Sequence, residues 1–140
     1  MEIEARQPSG GKSWVAKKAR AGADKGKWCG NGQCVTLVKL RAPGLPPTKY
    51  WNVGETVQGN MSISVGTIII ATKNGVYWSS GGHAAIYLGQ DPILGLLVTD
   101  QWITGKGQPV SEHYISWEGH GPNPSYQTQG KNYGVLVTSP

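Results

Sequence analysis

The sequence predicts an α+β domain, with N-terminal helices packed on a mostly antiparallel sheet of about five to six strands. Three observations carry this. Helix-like apolar spacing is confined to the chain before Pro43. From Val65 onward, β-branched and apolar runs alternate with Gly, Pro, Asn and Asp clusters. The connectors between those runs, Gln90-Asp91-Pro92 and Gly105-Lys106-Gly107-Gln108-Pro109, are too short for crossover helices and so imply antiparallel neighbours. At 140 residues the chain suffices for one core and not for two. The expected division is a flexible arm over residues 1–12 and a single domain over 13–140, without internal repeats.

Taken in order, Ser9-Gly10-Gly11 closes the arm. Ser13 is a helix N-cap, after which Trp14, Val15, Lys17, Lys18, Ala19 and Ala21 read as a short helix with one apolar face, stopped by Gly22. Residues 24–32 form a polar, glycine-rich loop, and residues 33–40 resume helical spacing through Val35, Leu37, Val38 and Leu40. Pro43-Gly44-Leu45-Pro46-Pro47 cannot continue that helix, because proline removes a donor and clashes with the preceding turn. It is a rigid connector within the domain. Residues 66–71, with Thr67, Ile68, Ile69 and Ile70 at the centre, read as a buried strand, and Lys73-Asn74-Gly75-Val76 as a tight turn. Residues 83–89, 96–102, 110–117 and 133–138 supply four further strands.

Hydrophobic residues make up 38% and charged residues 15%, with six Trp, six Tyr and no Phe, a balance that excludes a disordered chain and leaves the rings to supply much of the buried area. The net charge is +5, and Lys12, Lys17, Lys18, Arg20, Lys25, Lys27, Lys39 and Arg41 face only Asp24 in their span. Such a face is either a solvated surface or one that attracts an anionic partner: nucleic acid, acidic lipid or an anionic wall polymer. Paired zinc-ligand clusters, basic heptads and aromatic RNA-binding signatures are absent, so nucleic acid is not the expected partner. Residues 1–8 lack the apolar core of a secretory signal, and no run reaches the roughly eighteen apolar residues of a membrane span. The expectation is a soluble monomer without membrane insertion; any action outside its own cytoplasm needs processing or export without a visible signal peptide. A Cys29–Cys34 bridge is sterically possible in a tight loop.

Three stretches can carry chemistry. In Gly30-Asn31-Gly32-Gln33-Cys34, flexible residues deliver Cys34 to a helix start, where the helix dipole and free amides favour the thiolate and can hold an oxyanion. Taken alone, Cys34 is also a small buried hydrophobe. In Ser79-Ser80-Gly81-Gly82-His83-Ala84-Ala85-Ile86-Tyr87-Leu88-Gly89, His83 opens an apolar strand, with Ala84 and Ala85 leaving room beside the imidazole. Asp100, at the polar end of the next strand, passes His83 and can orient its ring, with Gln101 taking that part if the register slips by one. Trp51, Trp78 and Trp102 are candidates for a substrate groove, with core packing as the competing role. His113 and His120 lack partners at metal-ligand spacing and are expected at the surface, with no metal site and no cofactor.

The order of Cys34, His83 and Asp100 resembles that of papain-like cysteine hydrolases. The segments around Gly32-Gln33-Cys34 and His83-Ala84-Ala85-Ile86-Tyr87-Leu88-Gly89 are similar to the CHAP and NlpC/P60 peptidoglycan hydrolases. With Pro47-Thr48, Trp51, Gly54, Val65-Gly66-Thr67-Ile68-Ile69-Ile70-Ala71-Thr72 and Asp100-Gln101-Trp102, the resemblance narrows to the second family of type VI secretion amidase effectors and its arthropod-domesticated relatives. It covers about residues 28–135 and implies a papain-like fold and an antibacterial cysteine amidase or endopeptidase. The implied substrate is a peptide bond of peptidoglycan, such as the crosslink between diaminopimelate and D-alanine. It further implies Cys34 as nucleophile, His83 as base, Asp100 as third member and a cognate immunity protein as partner; in the mechanism expected here, backbone amides near Cys34, helped by Gln33, stabilise the oxyanion. Action would lie in the target-cell periplasm or on the bacterial wall. Cys29 is outside the family pattern. A non-catalytic wall-binding module, and a deamidase or acyltransferase on another substrate, are the alternatives.

Overall fold

The structure is a computed structural model and describes residues 11–139. Among the described residues are one α helix and seven strands: β1 Lys12–Ser13, α1 Cys34–Arg41, β2 Asn52–Thr56, β3 Ile68–Ala71, β4 Ala84–Asp91, β5 Gly95–Trp102, β6 Gln108–Ile115 and β7 Tyr133–Thr138. All paired strands are antiparallel, in the order β1-β7-β3-β4-β5-β6, with β2 also on β7.

The sheet is covered on both faces, and the isoleucine run shows why. Successive side chains on a strand point to opposite faces. Ile68 and Ile70 therefore join Ala84, Ile86 and Leu136 against Leu37 and Val38 of α1, while Ile69 joins Ala85, Tyr87, Leu96, Val98, Trp117 and Tyr133 on the other side. Ile68, Ile69 and Ile70 are all completely buried, as a central strand between two layers requires. The predicted turn after β3 forms with Asn74 (φ 55) and Gly75 (φ 75) both left-handed and Lys73 bridged to Val76, the geometry of a two-residue hairpin turn.

Two expectations are corrected. The helix expected from Ser13 is absent: Lys12 and Ser13 pair with Thr138 and Val137, Val15 bridges Thr67, and the Ala16 amide donates to Gly66 O (2.8 Å). Its apolar residues obey period two as well as a helical period: Trp14 and Ala16 turn inward, Val15 and Lys17 outward. Pairing with the sheet gives these backbone groups partners that an isolated short helix could not better. Of the arm expected over 1–12, residues 1–10 lie outside the described residues, and Lys12 is already a strand residue. The sheet has seven strands rather than five or six, because β1 falls where the expected arm meets the expected helix and β2 lies in a stretch without a strand signal. Burial along Asn-Val-Gly-Glu-Thr of β2 shows no alternation, so period two leaves no mark there.

The basic N-terminal segment is anchored by one of its own cations. Arg41 is buried and donates to Lys18 O (2.7 Å) and Arg20 O (3.0 Å) and to Asp24 Oδ2 (2.9 Å). Arg20 pairs with Glu112, leaving Lys12, Lys17, Lys18, Lys25 and Lys27 as exposed lysines of the segment. Among the described residues no helix is long and apolar enough to cross a membrane.

Candidate active site

Cys34 is the first residue of α1, whose N-cap, Gln33, is extended (φ −76°, ψ 150°). Asn31 holds the turn by accepting from the Gln33 amide (3.0 Å) and the Thr36 hydroxyl (2.6 Å). Gly32 is left-handed (φ +85°), and a Cβ there would meet Ile103 Cδ1 at 2.8 Å and the Trp28 ring at 3.1 Å, so glycine is required for conformation and for space. The completely buried Gln101 staples the loop from the sheet side. Its Oε1 accepts from the Cys29 amide (2.8 Å), and its Nε2 donates to Cys29 O and Gln33 O (2.9 Å each). Gln101 is thus a positioning residue for the loop. It does not substitute for Asp100, because neighbours on a strand face opposite sides and it is Asp100 that is turned to His83 while Gln101 bonds the Cys29 and Gln33 backbone.

His83 sits one residue before β4 and is 8% exposed; Asp100, near the end of β5, is 1% exposed. His83 Nε2 lies 2.7 Å from Asp100 Oδ2, so the carboxylate fixes that nitrogen as the donor and leaves Nδ1 for the Cys34 thiol. Burial pushes the His83 imidazolium down, but hydrogen bonds and charge from Asp100 and Cys34 outweigh it and raise its pKa to about 10. Burial likewise pushes the Cys34 thiol up, but the His83 hydrogen bond and charge, with the Ala84 amide, bring it below the ordinary thiol range. For Asp100, hydrogen bonds from His113 and His83 overcome burial and lower its pKa. All three shifts favour an ionised thiolate–imidazolium pair beside a carboxylate. Such a pair can attack a carbonyl and protonate a leaving amine. Of the first-turn amides of α1, that of Thr36 donates to Gln33 O (3.1 Å), while those of Cys34 and Val35 precede the helical ladder, a position from which amides can hold an oxyanion.

The pair opens on a cleft of about 620 Å³, whose lining includes Gln33, Tyr77, Trp102, Tyr114, Ser116 and His120. Trp102 meets the His83 ring edge-on at 5.9 Å. Of the other two tryptophans, Trp51 is 6% exposed and packs in the core, its indole bonded to Pro46 O, so it is no groove residue. Trp78 is exposed beside the cleft-lining Tyr77 and Ser79 and does not itself line the cleft. Both cysteines are free. The Cys29 thiol is raised by burial and by the charge of its hydrogen-bond partner Asp24.

The surface position expected of His113 is corrected. It is half-buried on β6, and its Nε2 lies 2.7 Å from Asp100 Oδ1. Burial lowers the affinity of His113 for a second proton, but Asp100 outweighs it and its pKa is raised. Counting outward from Trp102 opposite Gln108 would set Glu112 opposite Val98; an irregularity between Asp100 and Trp102 shifts the register by one and sets His113 there instead, diagonal to Asp100 on the same face. His120 is exposed, as expected, at the rim of the cleft.

Comparison with known proteins adds an independent line. The profile of the family described as Domesticated amidase effector 2 matches residues 12–135, a span that contains Cys34, His83, Asp100 and His113. The "Type VI secretion amidase effector 2 protein" of Salmonella typhi is 39% identical over 105 residues, which is 73% of this chain and 77% of that protein. The solved structure of a "Type 6 secretion amidase effector 2" superposes with a TM-score of 0.71 at 31% identity, covering 90% of this chain and 95% of the other.

Proposed function

The chain belongs to the type VI secretion amidase effector 2 family, and on that premise we propose that it is a cysteine amidase that hydrolyses a peptide bond of bacterial peptidoglycan, the crosslink between diaminopimelate and D-alanine. The observation that carries the reading is the line Cys34, His83, Asp100 at the wall of an open cleft. Asp100 holds Nε2 of His83, and the thiol of Cys34 gives its proton to the other nitrogen. The thiolate then attacks the scissile carbonyl, and an S–C bond forms. The oxyanion is held by amides at the start of α1, assisted by Gln33 at the cleft wall. As the C–N bond breaks, His83 returns its proton to the leaving amine. A water then gives a proton to His83 and attacks the thioester, the C–S bond breaks, and the free carboxylate leaves.

The exposed lysines of the N-terminal segment favour an anionic wall. As an effector the protein acts on the wall of a target cell, and a cognate immunity protein that occludes the cleft is its natural partner. Mass spectrometry of purified crosslinked muropeptides tests the reading. Wild type should release one new amine and one new carboxylate per bond, and Cys34→Ala should release neither. Equal digestion by both proteins removes Cys34 from the mechanism; an unchanged crosslink with wild type removes the substrate.

A further inference from the structure

Asp100 is shared. One oxygen takes His83 and the other takes His113, each at 2.7 Å, and the carboxylate has almost no contact with solvent. The ring of His113 faces an acceptor at both nitrogens: Asp100 Oδ1 at Nε2, and the Tyr114 carbonyl oxygen at Nδ1, 3.3 Å away. A neutral imidazole has one N–H to donate. Both acceptors are satisfied together only when both nitrogens carry protons, which makes His113 a cation. Its ring also meets the edge of Trp102 at 5.9 Å, so one indole packs against both histidines.

We propose that His113 is a further positioning residue of the site, a standing cation on Asp100 that sets how tightly His83 holds its proton and how readily the Cys34–His83 pair ionises. This rests on the reading of Cys34 and His83 as the reacting pair. The groups that act on His113 are Asp100 from β5, His83 before β4 and the Tyr114 carbonyl on its own strand, with the Trp102 ring packed against it; Cys34 and His120 line the same cleft. Its neighbour Glu112 turns to the opposite face and is taken by Arg20 and the Ala21 amide. In this set a positive charge acts in one direction on both reacting groups. It favours the thiolate and disfavours the imidazolium, so it draws both ionisations of the pair toward lower pH. A neutral residue in its place releases the full charge of Asp100 to His83, and both ionisations move up.

The test reads the pair directly, without a wall substrate. Wild type, His113→Gln and His113→Lys are alkylated with iodoacetamide across the pH range, and modification of the Cys34 peptide is followed by mass spectrometry, apart from that of Cys29. Glutamine keeps an N–H donor toward Asp100 without the charge, and its profile should move by about one pH unit to the alkaline side on both limbs. Lysine keeps the charge and should restore the wild-type profile. Superimposable profiles for wild type and His113→Gln overturn the proposal, as does a lysine variant displaced as far as the glutamine variant. Nitrogen NMR of the His113 ring in the wild-type protein is a second readout, independent of any variant's folding: two protonated nitrogens at pH 8 are expected, and a neutral tautomer overturns the assignment. A displaced alkylation profile without any cut muropeptide keeps the role of His113 and removes only the substrate reading.

Discussion

Replacing Gln101 by Leu should loosen the loop that carries Cys34 before it harms the sheet. The side chain is buried without exposure on the helix side of β5, and its amide makes three hydrogen bonds, at 2.8, 2.9 and 2.9 Å, to Cys29 and Gln33. Leucine keeps the approximate volume and removes all three. At about 1 kcal/mol net per bond the loss is roughly 3 kcal/mol. Taken globally, that is about two powers of ten in the folded-to-unfolded ratio. Taken locally, the loop from Cys29 to Gln33 opens while β5 stays paired, and the thiol spends less time beside His83. Urea unfolding and the rate of Cys34 alkylation at neutral pH separate these cases: a lowered midpoint reports the first, and a slowed alkylation with a near-normal midpoint reports the second. A variant within about 0.5 kcal/mol of wild type, with wild-type alkylation, refutes the argument that this amide holds the loop.

Asp100→Asn leaves His83 without a carboxylate and should lower kcat for bond cleavage by about two to four powers of ten with a smaller change in KM, measured on crosslinked muropeptides; retention of a tenth or more of kcat would be incompatible with an orienting role. Stability should depend on pH with a definite sign, read in Cys34→Ala so that the thiol does not titrate. His113 is raised in the fold by Asp100, and the hydrogen bond and charge of Asp100 act in the same direction on His83 in that variant, so this stabilisation is full below about pH 6.5 and is lost as pH rises through the folded values. Asp100 is lowered, so its contribution is full above about pH 4 and is lost as pH falls through the folded value. The urea midpoint should therefore be higher at pH 5.5 than at pH 9, and a flat or opposite trend counts against the charged His–Asp–His arrangement. Ile69→Ala, in the completely buried central strand, should cost roughly 2–5 kcal/mol by urea unfolding; a cost below about 1 kcal/mol would mean that this layer of the core collapses freely around the gap.

Most of the sheet was legible because its strands are marked by local chemistry. The isoleucine run of β3, the small residues at the start of β4 and the apolar-to-polar gradient of β5 state their environment in their side chains. The edge of the sheet was not. Trp14, Val15 and Ala16 satisfy either period, and what decided between them was the free length of β7 together with the Gly66 carbonyl and the Ile68 amide, which no window of a dozen residues around Trp14 contains.

The same division runs through the site. The sequence by itself determined that a cysteine opens a helix after a glycine turn, that a histidine opens an apolar strand, and that a carboxylate closes the next one, because each rests on spacing within one element or one hairpin. Only the tertiary structure decided which of two adjacent polar residues serves the imidazole. Asp100 and Gln101 lie on opposite faces of one strand, and the pairing of β4 with β5 turns the first to His83 and the second to the Cys34 loop. It likewise took Trp51 into the core and brought His113 from an edge strand to the second oxygen of Asp100. Hydrogen bonds to a buried carboxylate depend on register and on burial together, and those are properties of strands placed side by side.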